Sequence, residues 1–157
     1  MKFVISLLAV FILIVIGVPA LKVNAQVDIS NTPNEWQLGT ISASSVHQTG
    51  LDHFTVTNNS GYDIRITIRG SDMNGAGATW TLSDDASQGT DIYGLKAGLY
   101  EIDGGSYNVT VNKTDTVLID NLPDTSSRQW GLQFLAPAEF TDGAEKSGTV
   151  TLTATLP

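Results

Sequence analysis

The chain has 157 residues, with 16 acidic against eight basic side chains and a formal net charge of −8. That balance makes nucleic acid and anionic membrane surfaces poor partners, because both repel an acidic protein. Cysteine is absent, so no disulfide framework or thiolate metal site can form, and burial or bound ions must supply the stability.

Met1-Lys2, an apolar run from Phe3 to Ile16, the break Gly17-Val18-Pro19 and the small residues Val23 and Ala25 read as an export signal cleaved before Gln26. The predicted organisation is a signal peptide over 1–25 and one domain over 26–157, secreted and either extracellular or held at the cell surface. An uncleaved leader is the alternative and the one route to a membrane, since about 20 apolar residues span a bilayer. Loss of Lys2 and Lys22 leaves six basic residues against 16 acidic ones. What remains is long enough for one substantial core.

Beyond Gln26 the apolar residues recur with a period of two, the signature of half-buried strands. Strands are expected over 27–30 and 36–41. Phe54 and Val56 then alternate with Thr55 and Thr57, the turn formers Asn58-Asn59-Ser60-Gly61 follow, and Ile64, Ile66 and Ile68 alternate with Arg65, Thr67 and Arg69. This spacing predicts a hairpin of a strand at 54–57 with one at 62–69. Further strands are expected over 79–83, 107–112, 116–122, 129–135 and 148–156, with a weakly signalled helical turn over 84–89. In the last strand Val150, Leu152, Ala154 and Leu156 form one face and Thr149, Thr151, Thr153 and Thr155 the other. A threonine face of this kind suits a solvated sheet, a polar platform for a glycan, or an edge that pairs with another subunit. The expected fold is all-β: a single antiparallel β-sandwich, Ig-like or Greek-key.

Catalytic patterns are missing. His47 and His53 are the only histidines, Asp52 adjoins His53 but points to the opposite strand face, and no nucleophile elbow, zinc helix or phosphate loop occurs. The expectation is a protein that is not an enzyme and has no cofactor, apart from the option of a structural calcium. Asp72-Met73-Asn74-Gly75 places two oxygen-bearing side chains at alternate positions before a glycine, so Asp72 and Asn74 are the candidate metal ligands. Asp84-Asp85, Asp91, Asp103 and Asp142 could add carboxylates, although Asp, Asn and Gly are also what turns are made of. Sequons begin at Asn58, Asn108 and Asn112.

Each of the three tryptophans is followed two positions later by leucine: Trp36-Gln37-Leu38, Trp80-Thr81-Leu82 and Trp130-Gly131-Leu132. On an extended chain these pairs share a face. Trp130, Leu132 and Phe134 continue one face and are expected in the core. Trp36-Gln37-Leu38 and Thr79-Trp80-Thr81-Leu82-Ser83-Asp84 resemble the motifs of the WxL-type surface domains of Gram-positive bacteria. The terminal Leu152-Thr153-Ala154-Thr155-Leu156-Pro157 has the outline of that family's end, with Ala154 where a tryptophan is expected. The resemblance implies an exported β-rich module associated non-covalently with peptidoglycan, with binding carried by Trp36, Leu38, Trp80 and Leu82. The expected partner is thus cell-wall or matrix polysaccharide. The rival expectations are a structural subunit that self-associates through an edge strand, and a secreted hydrolase of unrecognised type.

Overall fold

A computed structural model describes residues 27–101 and 106–157; the expected leader, its cleavage site and Asp103 lie outside these. The strands are β1 (Ile29–Thr32), β2 (Val46–Gln48), β3 (Phe54–Asn58), β4 (Ile64–Gly70), β5 (Asn74–Gly75) and β6 (Thr81–Leu82), followed by β7 (Ile92–Leu99), β8 (Val109–Thr110), β9 (Thr116–Leu122), β10 (Ser127–Leu135), β11 (Lys146–Ser147) and β12 (Val150–Thr155). No helix occurs among the described residues. The molecule is an all-β antiparallel sandwich.

The large sheet runs β1-β3-β10-β7-β6, with β2 also on β10 and β8 also on β7; the small sheet runs β12-β4-β9; β5 and β11 form a separate ribbon. All pairings between these strands are antiparallel except the short parallel contact of β6 with β7. The inner faces meet in one buried cluster. Phe54 and Val56 of β3, Tyr93, Leu95, Ala97 and Leu99 of β7, and Trp130, Leu132 and Phe134 of β10 face Ile64, Ile66 and Ile68 of β4 and Leu118, Ile119 and Leu122 of β9. On β9 the register slips twice against β4, between Ile64 and Ile66 and between Ile66 and Thr67. Such bulges let two consecutive apolar residues, Leu118 and Ile119, both turn inward.

The hairpin expected from residues 54–69 does not form. β3 pairs with β1 and β10 while β4 pairs with β12 and β9, so the turn at Asn58 to Gly61 carries the chain from one sheet to the other. The physical reason lies at Asn58, which is wholly buried. Its amide nitrogen donates to the main-chain oxygens of Tyr62 (2.7 Å), Leu122 (3.0 Å) and Pro123 (3.1 Å), and its Oδ1 accepts the Ser60 N–H (2.9 Å). The side chain sews a corner between sheets, where a hairpin would have placed it at a solvated turn. Its burial also closes the sequon at Asn58 in the folded protein.

Two other expectations are corrected. Residues 36–41 form no strand, and residues 84–89 no helical turn. Ala86 sits at φ 62°, a left-handed conformation incompatible with a right-handed turn. The long central strand β7 escapes the period-two pattern because Gly94 and Gly98 occupy its outer face. Covering segments approach there: a Cβ on Gly94 would lie 2.6 Å from the Ala86 oxygen, and one on Gly98 2.3 Å from the Ser106 oxygen. β7 is therefore covered on its outer face as well at Gly94 and Gly98, where only glycine fits, while Ile92 and Lys96 between and beside them stay accessible.

Candidate functional site: a groove at the open edge of the sandwich

β1 ends at a cis Thr32–Pro33 peptide, and the chain then crosses the open side of the sandwich without joining a sheet. Trp36, Leu38 and Ile41 on this segment are half-buried and pack on the core. Opposite them runs the beginning of β12, which is the edge strand of the small sheet. Its entry is fixed by the Thr149 N–H, which donates to Ser71 Oγ (2.9 Å). Ser71 also offers its carbonyl oxygen to the hydroxyl of Tyr93, so the two sheets are tied beneath this point.

Between these walls lies a groove of about 610 Å³. Its floor is aromatic, from Phe54, Tyr93, Trp130 and Phe134, while Trp36 and Leu38 form one wall and Val150 and Leu152 the other. Asn34, Glu35, Thr149 and Thr151 stand at the rim. Glu35 Oε1 accepts a hydrogen bond from Gln37 Nε2 (2.8 Å), and Asn31 Oδ1 accepts the Trp130 indole N–H (2.9 Å). An apolar bed with amide, hydroxyl and carboxylate groups at its border suits a ligand that has one apolar face and hydroxyls at its edge.

The structure separates the four residues that the sequence nominates for binding. Trp36 and Leu38 line the groove. Trp80 and Leu82 belong to the core, at 5% and 2% exposure. The Trp80 ring stacks on Phe140 at 5.0 Å with planes 10° apart, so its faces are taken by protein. Trp130 and Leu132 are core residues as expected and also floor the groove, with the Trp130 ring on Phe54 at 4.6 Å. The sequence reading missed the opposite wall from Gly148 to Leu152. The signal was present in the threonine-faced strand, but nothing in the pattern placed it beside Trp36.

Asp72 and Asn74 are engaged in holding loops. Asp72 Oδ1 accepts the Leu82 N–H (2.8 Å) and lies 2.8 Å from the Lys113 ammonium. Burial pushes its carboxyl up, but Lys113 and the Leu82 N–H outweigh this and hold it below the usual range. Asn74 Oδ1 accepts the Thr79 hydroxyl (3.2 Å) on the exposed β5 ribbon. The other acidic candidates behave alike. Asp85 is brought down to about 2 by hydrogen bonds from Ser83 and Ser87, Asp91 accepts the Thr141 N–H (3.0 Å), and Asp142 pairs with Lys146 at 2.8 Å. Among the described residues no three His, Asp or Glu side chains gather into a metal-binding group. His47 Nε2 lies 3.0 Å from Ser45 Oγ, whose hydroxyl donates to the Ser42 oxygen, and His53 packs edge-on against Phe54.

Compared with protein-family models, curated proteins and solved structures, the chain matches none.

Proposed function

We propose that this is an exported, non-catalytic protein of the cell surface whose groove holds a neutral stretch of cell-wall or matrix polysaccharide. The observation that carries the reading is Trp36, a partly buried indole that packs on the core yet lines the groove, set in a concave apolar bed and flanked by Asn34, Glu35, Thr149 and Thr151. A pyranose ring presents an apolar face to an indole and hydroxyls to such a border. The net charge of −8 favours neutral polymers over acidic ones. The resemblance to WxL-type domains supports the same destination, carried here by Trp36 and Leu38 and not by Trp80 and Leu82.

The test is sedimentation of purified protein with isolated peptidoglycan sacculi and with neutral wall glycans. Wild-type protein is expected in the pellet with at least one of them. Loss of the Trp36 ring removes a stacking contact of about 1.5 kcal/mol, so Trp36→Ala weakens binding by roughly tenfold. Wild-type protein that stays in the supernatant with every polymer, or a Trp36→Ala protein that pellets as well as wild type, sinks the proposal.

A further inference from the structure

The two edges of the small sheet are built differently. β9 carries two bulges and the outward charge of Asp120, which Arg65 holds at 2.7 Å. Those are the devices by which natural sheets refuse extra strands. β12 has none of them. It pairs with β4 through six consecutive residues in unbroken register, and Val150-Thr151-Leu152-Thr153-Ala154-Thr155 contains no charge and no proline.

The direction of its main-chain groups follows from β4. The Gly70 N–H points away from β12 and donates to the Asn112 oxygen at 2.8 Å. Alternation then turns the main-chain groups of Arg69, Thr67 and Arg65 toward their partners Thr151, Thr153 and Thr155. Consistent with this, the Thr153 oxygen accepts the Thr67 hydroxyl (3.4 Å). The N–H and C=O groups of Val150, Leu152 and Ala154 therefore face the edge, where no other strand pairs among the described residues.

We infer that β12 is an interface for a second copy of this chain, joined antiparallel across a two-fold axis. An axis through Leu152 sets Val150 against Ala154 of the second copy and Leu152 against its own equivalent, so that every edge-facing pair exchanges both of its hydrogen bonds. Thr151 then faces Thr153 of the second copy, a favourable cross-strand pair. Because β12 is uncharged, two strongly acidic proteins meet where they repel each other least. The joined sheet runs β9-β4-β12-β12-β4-β9, and both of its ends are the bulged, charged β9. The joined sheet therefore does not grow beyond two copies. This goes beyond the groove reading and uses different atoms, since side chains of Val150 and Leu152 wall the groove while their main-chain groups form the edge.

The test is the mass of purified protein across a concentration series in the absence of any polysaccharide. Wild type is expected to double in mass as concentration rises. Ala154→Pro removes an edge-facing N–H and leaves the bonds to β4 in place, so it is expected to keep the single mass with an unchanged melting temperature. A short bis-maleimide provides a readout independent of that variant, because the natural chain has no cysteine. Thr153→Cys is expected to cross-link into a dimer. Val117→Cys, on β9 and 45% exposed, is expected not to. A wild-type protein that remains monomeric up to its solubility limit overturns the inference. So does a folded Ala154→Pro protein that still dimerises, or equal cross-linking at the two positions.

Discussion

The amide nitrogen of Asn58, at the end of β3, donates to the main-chain oxygen of Leu122, at the end of β9, across 3.0 Å. The bond joins the large sheet to the small one, and it is one of three that the same nitrogen makes inside the protein. Asn58→Ala removes the donor from one buried and two partly buried carbonyl oxygens and leaves a buried polar corner unfilled, so it is expected to lower stability by about 2 kcal/mol in urea unfolding. Asn58→Asp is expected to do worse, because it turns a carboxylate oxygen toward those carbonyls. Equal stability of wild type and Asn58→Asp would show that the corner is held by something else.

The three indoles differ in burial, and this gives a direct optical test. Trp80 and Trp130 are 5% and 2% exposed, whereas Trp36 is half-buried at the groove wall. Iodide is expected to quench one fraction of the intrinsic fluorescence, and Trp36→Phe is expected to abolish it. Trp80→Ala, in contrast, opens a core cavity and is expected to cost about 4 kcal/mol. A quenchable fraction that survives Trp36→Phe would place another indole at the surface.

Gly131 lies on the outer face of β10, where a Cβ would fall 2.4 Å from the Gly50 oxygen and 2.9 Å from the Leu51 Cα. Both neighbours are backbone and cannot swing away. Gly131→Ala is expected to cost about 2 kcal/mol through forced displacement of the 49–51 segment. Thermal unfolding decides it, and an unchanged midpoint would mean that this segment yields freely.

Asp142 is brought down to about 2 from the ordinary 3.8 by the Lys146 ammonium and by the N–H groups of Ala144 and Ala78. A carboxyl whose pKa is lowered on folding binds protons more readily in the unfolded chain. Its stabilisation is therefore complete above pH 3.8 and is lost as the pH falls toward about 2. The Lys146 side chain is only 2% exposed and also donates to the Ala76 oxygen at 2.7 Å, so neutralising its partner leaves a buried cation short of compensation. Asp142→Asn is expected to melt lower at neutral pH and to lose less stability than wild type between pH 4 and pH 2. Parallel acid limbs for the two proteins would remove Asp142 from the account.

The strands that face water on one side were legible in the sequence. β4 and β12 keep apolar residues on one side and follow period-two alternation, and β9 and β10 were placed as well, although bulges turn both Leu118 and Ile119 of β9 inward and the outer face of β10 is covered at Gly131. Pairing was not legible, because alternation states which face is buried and not which strand lies alongside. The chain from β3 to β4 has every local mark of a hairpin, yet Asn58 finds its partners at Leu122 and Pro123, far along the sequence. β7 was invisible for a related reason: a strand whose outer face is covered at points by other segments uses glycine there, where alternation calls for a polar residue. The groove is built from Trp36 and from residues 148–152, so only the fold could bring its walls together. Trp80 shows the limit of a short motif. The same Trp-x-Leu spelling yields a groove wall at Trp36 and a core ring at Trp80, and the difference comes from Phe140.

β10 is hydrogen-bonded to β3 and β2 on one side and to β7 on the other. It is the middle of the large sheet, although it comes late in the chain. A polypeptide that emerges N-terminus first, from a ribosome or from a narrow channel, cannot close that sheet until Leu135 is out. Until then β3 and β7 have no strand between them, and their apolar residues have no complete core to enter. The consequence is a protein whose strand order itself holds back closure of its large sheet until most of the chain has emerged.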